Sequence, residues 1–214
     1  MSYSMEHPKL WTGSNMVFVN SASTAIIGTV ATKFFYPFLA SRNVKLSTTR
    51  LVSIGSFFWM LVFLSMLAID HRMRRVYNDS GEMISIGWQF FPYCLGGFGY
   101  VFTNPPQDSI TYKVAPTEWK VLGNAVNKFM QTGVSQYISK ALYIRTAAWF
   151  VNSKGMNNIN GIENYTTATS YKFMYICIGF AAFQAIFMSL PFVDRWYRKI
   201  EAYVEAKDEA EEHE

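Results

Sequence analysis

Lys33, Lys128 and Lys140 stand inside apolar stretches of the chain. A cation within a membrane span is a candidate for holding an anionic group, because water is not there to solvate it. Lys33 lies about one turn from a helix end and can snorkel to the surface. Lys128 has two readings: it serves a solute site, or it makes an ion pair or a lipid-phosphate contact. Arg72, Arg74 and Arg75 cluster at the edge of another apolar block, where basic side chains meet lipid headgroups or a partner chain. Other chemistry is poorly provided for. His7, His71 and His213 have no ligand spacing, so no metal is expected. Cys94 and Cys177 lie in apolar segments and read as small buried hydrophobes. Gly96-Gly97-Phe98-Gly99 lacks the strand–turn–helix context of a phosphate loop. Neither an enzyme nor a cofactor is expected.

The elements that must position these residues are membrane helices. Half of the 214 residues are hydrophobic, 17% are aromatic and only 16% are charged, where a soluble domain carries about a quarter charged residues. The mean hydropathy of +0.07 averages apolar blocks with polar loops, so the windows carry the signal. The net charge of +4 is concentrated in basic clusters beside those blocks, followed by an acidic end. No basic face is left for nucleic acid. The segment 1–15 shows neither a signal peptide nor an Arg-rich leader.

A bilayer core about 30 Å thick requires roughly 20 helical residues. Windows of that order run from about Met16 to Leu39, Leu51 to Ile69, Ile84 to Phe102, Trp119 to Ile144 and Phe173 to Val193. Together they predict an all-α membrane domain over 16–194, with a charged tail over 195–214 that reads as a solvated helix. The first window is rich in small residues that permit close helix packing. The third is interrupted by Pro92 and loosened by Gly96, Gly97 and Gly99. The fourth carries Lys120, Asn124, Asn127, Lys128, Gln131, Gln136 and Lys140. It fits an amphipathic interfacial helix and a polar-lined spanning helix equally well.

Alternation puts Arg42, Lys45, Arg50 and the basic cluster at Arg195 on one side of the membrane. Arg72, Arg74 and Arg75 then sit in a loop on the other side, with the glycosylation sequons at Asn78 and Asn164. Use of the sequons would require the secretory route. The polar stretch Asn152 to Thr169 reads as an exposed loop.

Several short stretches, in order, resemble the proton-dependent oligopeptide transporter (POT) family of the major facilitator superfamily. Phe34-Phe35-Tyr36-Pro37-Phe38-Leu39-Ala40-Ser41-Arg42 resembles the YP-x-L-x-x-R end of that family's eighth helix. Thr49 to Gly55 is similar to the start of its ninth. Ile84 to Tyr93, with Trp88-Gln89 and Pro92-Tyr93, is similar to the W-Q-x-P-Q-Y opening of the tenth. Thr111-Tyr112-Lys113-Val114-Ala115-Pro116 resembles the A-Y-S-x-A-P turn before the eleventh. The resemblance covers roughly residues 16 to 193. It implies the last five helices of a twelve-helix fold, and it makes the fourth window a true span.

The resemblance also implies loss. Family members bind substrate between two six-helix halves that rock against each other, and seven helices of that fold have no counterpart in this sequence. Where the family's tenth helix carries a Gly-Glu pair, this chain has Gly99-Tyr100. Tyrosine, with a pKa near 10, supplies no negative charge at neutral pH. Where the eleventh helix has Ala-Leu-Trp, Ala125-Val126-Asn127 stands. Tyr100 and Asn127 thus mark a substrate site expected to be lost, and Tyr100 reads better as a packing residue. Losing the carboxylate would remove a charge-assisted hydrogen bond worth about 1.5–3 kcal/mol.

Two functions follow. The first is a non-transporting accessory subunit of a larger membrane complex, with lipids bound to it and with Gly28, Ala31, Gly96 and Tyr100 offering surfaces to partner subunits. An organellar inner membrane, the mitochondrial one, is the expected location. The second is a half-transporter for peptides or related solutes, completed by another chain or a second copy.

Overall fold

A computed structural model describes residues 13–42, 46–82, 84–151 and 162–212. Regular structure among them is helical, so the all-α expectation holds. α1 (Gly13–Val30) passes through a π-helical turn at Ala31–Phe35 into α2 (Tyr36–Ser41), and the three form one rod. Its threonines do not disrupt it. Thr24, Thr29 and Thr32 each donate to the carbonyl four residues back, at 2.9 Å, so their hydroxyls are satisfied inside the helix.

α3 (Thr48–Ser80) is 33 residues long, about 50 Å at 1.5 Å per residue. It overshoots the predicted window by three turns and stops where Gly81 takes a left-handed φ of 72°. Arg72, Arg74 and Arg75 therefore lie on a helix, and their placement in a loop is corrected. The apolar window ended at Ile69, but helix does not require apolar residues. Met73, Val76 and Tyr77 continue a packed face against Ile84 and Tyr165.

A 3-10 turn at Ile86–Gln89 leads into α4 (Phe90–Val114), which continues past Phe102 through Pro105 and Pro106. Proline removes backbone donors, but neighbouring helices hold such a segment helical in a bundle. α5 (Lys120–Lys128), a π-helical stretch at Phe129–Val134 and α6 (Ser135–Arg145) form a second continuous rod. The short α7 (Ile162–Thr167), α8 (Tyr171–Ser189) and α9 (Pro191–Glu212) complete the chain.

α4 is the hub, with α3 on one side and α1 on the other. Glycine permits both approaches. A Cβ added to Gly55 would stand 2.7 Å from the Phe102 carbonyl carbon and the Thr103 nitrogen, and one on Gly97 would stand 2.9 Å from Ser23 Cβ. Phe58 stacks on Phe98 at 5.0 Å across the α3–α4 seam. α8 packs on α3, hooked by Ser53, which donates to the Ala185 carbonyl at 2.7 Å. The small residues expected to face partner chains serve these internal seams instead: Ala31 and Gly96 are buried, and Gly28 rests against Val101.

The tail is helical, as expected, but α9 begins at Pro191, runs through residue 194 and is held against the bundle. Thr49 donates to Asp194 at 2.7 Å, Arg198 reaches the same carboxylate at 2.8 Å, and Lys113 pairs with Glu201. Burial alone would raise the Asp194 carboxyl pKa. The Ser47 and Thr49 hydroxyls and the Arg198 guanidinium outweigh it and hold that pKa below the usual carboxylate range.

α3 and α8 are long and apolar enough to cross a membrane. α8 is apolar all round, yet Phe180, Phe183 and Ile186 remain 58%, 65% and 65% exposed. An all-apolar helix that its own chain does not cover calls for lipid. The chain is a polytopic membrane protein.

Candidate functional site

The polar residues of α5 meet α4 just beyond its paired prolines. Gly123 brings the helices together, since a Cβ there would stand 3.2 Å from Ala115 Cβ. One turn on, Lys128 Nζ lies 2.7 and 2.6 Å from the two carboxylate oxygens of Asp108. Asn127 Nδ2 donates to Asp108 Oδ1 at 3.3 Å. Gln131 Nε2 joins them, 3.3 Å from Asn127 Oδ1 and 3.4 Å from Gln107 Oε1. The result is a polar ladder on the seam between two helices.

Asn127 and Lys128, singled out separately from the sequence, are thus brought together on one carboxylate. Lys128 forms an ion pair with Asp108. Tyr100 is not brought in. It lies on α4 about 12 Å along the axis from Asp108 and is 44% exposed, so within this chain it is not a packing residue. Lys140 is exposed on α6 and Lys33 on the π-helical turn after α1.

A second charge cluster ties the far end of α3 to α7 and α8. Asp70 is fully buried and accepts from Arg74 Nε at 2.8 Å and from the Tyr165 hydroxyl at 2.5 Å. The rest of the Arg74 guanidinium donates to the Thr166 and Ala168 carbonyls at 2.9 and 2.6 Å and to Ser170 Oγ at 3.1 Å. Its guanidinium carbon also lies over the Tyr165 ring, 4.9 Å from the centroid. Burial raises the Tyr165 phenol pKa far above the ordinary tyrosine range, and the hydrogen bond to Asp70 and that residue's negative charge add to it. This cluster is a structural clasp: its donors and acceptors are turned on one another.

Arg72 and Arg75 project from the same stretch of α3 toward Trp88, whose ring lies 4.3 Å below the Arg72 guanidinium carbon. Asn78 is exposed in the last turn of α3, and Asn164 falls in α7. His7 and His213 lie outside the described residues. Among the described residues no group of three or more His, Cys, Asp or Glu side chains is arranged to hold a metal.

Asp70 and Asp108 are the charged partners that sequence reasoning missed. Asp70 had a signal: it precedes Arg74 by four residues, the spacing of an ion pair on one helix face. Asp108 lies beyond Phe102, where the third apolar window ends, although α4 continues to Val114.

No protein-family model and no curated protein matches the chain. Among solved structures, the chain is similar to the crystal structure of an auto-inhibited POT family peptide transporter. The TM-score is 0.67 at 20% identity, over 91% of this chain. The chain spans 34% of that transporter's length. At this identity the likeness shows the fold: a POT-like helical bundle.

Proposed function

We propose that this chain is a non-transporting structural subunit of a larger membrane assembly, built on the last five helices of a POT-type fold. The observation that carries the proposal is the state of the α4–α5 seam. Its carboxylate, Asp108, is occupied on both oxygens by Lys128 and on one by Asn127, which leaves no uncompensated charge there for a solute. Tyr100, where the resemblance puts a glutamate, offers an exposed aromatic ring instead. The α5–α6 rod supports the same reading. Val121, Phe129, Tyr137 and Ile144 are 79%, 63%, 74% and 62% exposed along it, and a second chain or lipid must cover them.

The test is the size and activity of the native protein. Solubilised in mild detergent, it is expected to migrate with a much larger complex. Migration as a lone monomer or dimer, with proton-driven peptide uptake after reconstitution, would overturn the reading. The proposal includes an organellar inner membrane, the mitochondrial one, as its location. A glycan on Asn78, which is exposed and open to modification, would remove that part alone.

The second reading, a half-transporter completed by another chain or a second copy, draws on the same seam. Gln107, Asp108, Asn127, Lys128 and Gln131 form a polar track where one half would face the other. It requires that uptake collapse when Asp108→Asn is introduced.

A further inference from the structure

We infer that the membrane-facing groove beside Arg72, Arg75 and Trp88 binds the headgroup of an anionic phospholipid. The groove has a volume of about 390 Å³ and is lined by Ala68, Ile69, His71, Arg72, Arg75 and Trp88. Ala68, Arg72 and Arg75 follow one another at helical spacing, and exposed Leu64 continues the stripe one turn earlier. Along one face of α3 the surface therefore passes from apolar to cationic, the order in which a lipid presents its acyl chains and its phosphate.

Both guanidiniums are available. Arg74 between them is consumed by Asp70 and the carbonyls of 166 and 168, but neither Arg72 nor Arg75 has a carboxylate partner among the described residues. Asp79, one turn beyond Arg75, is not paired with it. The Arg72 guanidinium carbon lies 4.3 Å from the Trp88 ring centroid, a cation–π contact that leaves its N–H groups able to donate. A planar guanidinium fork matches two oxygens of a phosphodiester, and Arg75 supplies a second cation lining the same groove. Trp88, Phe90 and Phe91 are 46%, 52% and 61% exposed beside the groove. That is the aromatic collar expected where a bilayer meets water. The apolar-to-cationic order along this face, with exposed aromatic rings beside the cations, favours a lipid phosphate over an acidic protein segment.

The experiment uses the full-length protein in mild detergent, with phosphatidylglycerol or phosphatidylcholine added and bound lipid counted by native mass spectrometry. Retention of phosphatidylglycerol is expected to exceed that of phosphatidylcholine about tenfold, and the Arg72→Gln/Arg75→Gln variant is expected to abolish the difference. Arg195→Gln, at the opposite end of the bundle, leaves the preference unchanged. Circular dichroism checks that the double variant is helical. If it is not, Arg75→Gln alone decides, because this exposed side chain holds no structure together, and its loss must cut the preference severalfold. An unaltered preference in the folded variant overturns the proposal. So does release of the lipid by an equal concentration of inorganic phosphate, which would mark a site for soluble anions.

Discussion

Asp70 and Arg74 meet 2.8 Å apart with side chains 0% and 11% exposed, whereas Asp108 and Lys128 meet at 2.6 Å with side chains 36% and 47% exposed. Distance does not separate the pairs; their surroundings do. At the end of α3, Asp70 also takes the Tyr165 hydroxyl, and Arg74 spends its remaining donors on two carbonyls and Ser170. Each charge lost from water is replaced by fixed partners. On the α4–α5 seam the pair has Asn127 and little else. One pair therefore locks three helices, and the other lies along a rod that its own chain barely covers.

Removing one partner should separate them first. Asp70→Ala leaves Arg74 buried without its counter-ion, and such breaks cost about 3–5 kcal/mol. Thermal unfolding in detergent, followed by circular dichroism, should show a large fall or failure to fold. An equal fall for Asp108→Ala would refute the distinction.

Tyr165→Phe sharpens it next. The variant takes a charge-assisted hydrogen bond from Asp70, worth about 1.5–3 kcal/mol. It also carries a pH signature. The folded phenol ionises far above its unfolded value of about 10. Its contribution to stability is fully present below pH 10 and is lost as pH rises from there toward the folded value. The stability gap between wild type and Tyr165→Phe should therefore narrow above pH 10. A gap that stays constant to pH 11.5 would show that the phenol is not held protonated.

The seams themselves come third. Gly55→Ala places a methyl group against the backbone of α4, an overpacking that costs about 1–3 kcal/mol. Gly179 on α8 has nothing within 4 Å of an added Cβ, so Gly179→Ala should stabilise the helix by about 0.5–1 kcal/mol. Opposite signs in parallel melts are the expected outcome.

How far the sequence could be read follows the same division. Hydropathy placed α8 closely and α3 in part, because an uncharged apolar run has few alternatives to a spanning helix. It stopped short at Ile69 and Phe102, where helix persists but apolarity does not. Gly96 and Gly97 read as loosening the third span, and not as the close-packing partners of Asn20 and Ser23 that they are, because which helix fills a glycine groove depends on tertiary geometry. The candidate site was half legible. Asn127 and Lys128 stood out as polar residues in an apolar setting, while Asp108, nineteen and twenty residues earlier, did not. The carboxylate that unites them belongs to another helix, and spacing along the chain carries no trace of that pairing.

The smallest effect is the most diagnostic of what the open seam does. Asp108→Asn keeps the shape of the side chain, removes its charge and leaves Lys128 half exposed, able to reach water or lipid phosphate. A pair this exposed contributes about 0–1 kcal/mol, so the melting temperature should hardly move. If the chain is a structural subunit, assembly should also persist, because the surfaces that await cover on α5 and α6 are apolar and remain intact. If the seam instead carries protons or a solute across a two-chain carrier, the same substitution should abolish uptake with stability unchanged. Measured together, stability, assembly and uptake of this single variant assign the seam to scaffold or to transport.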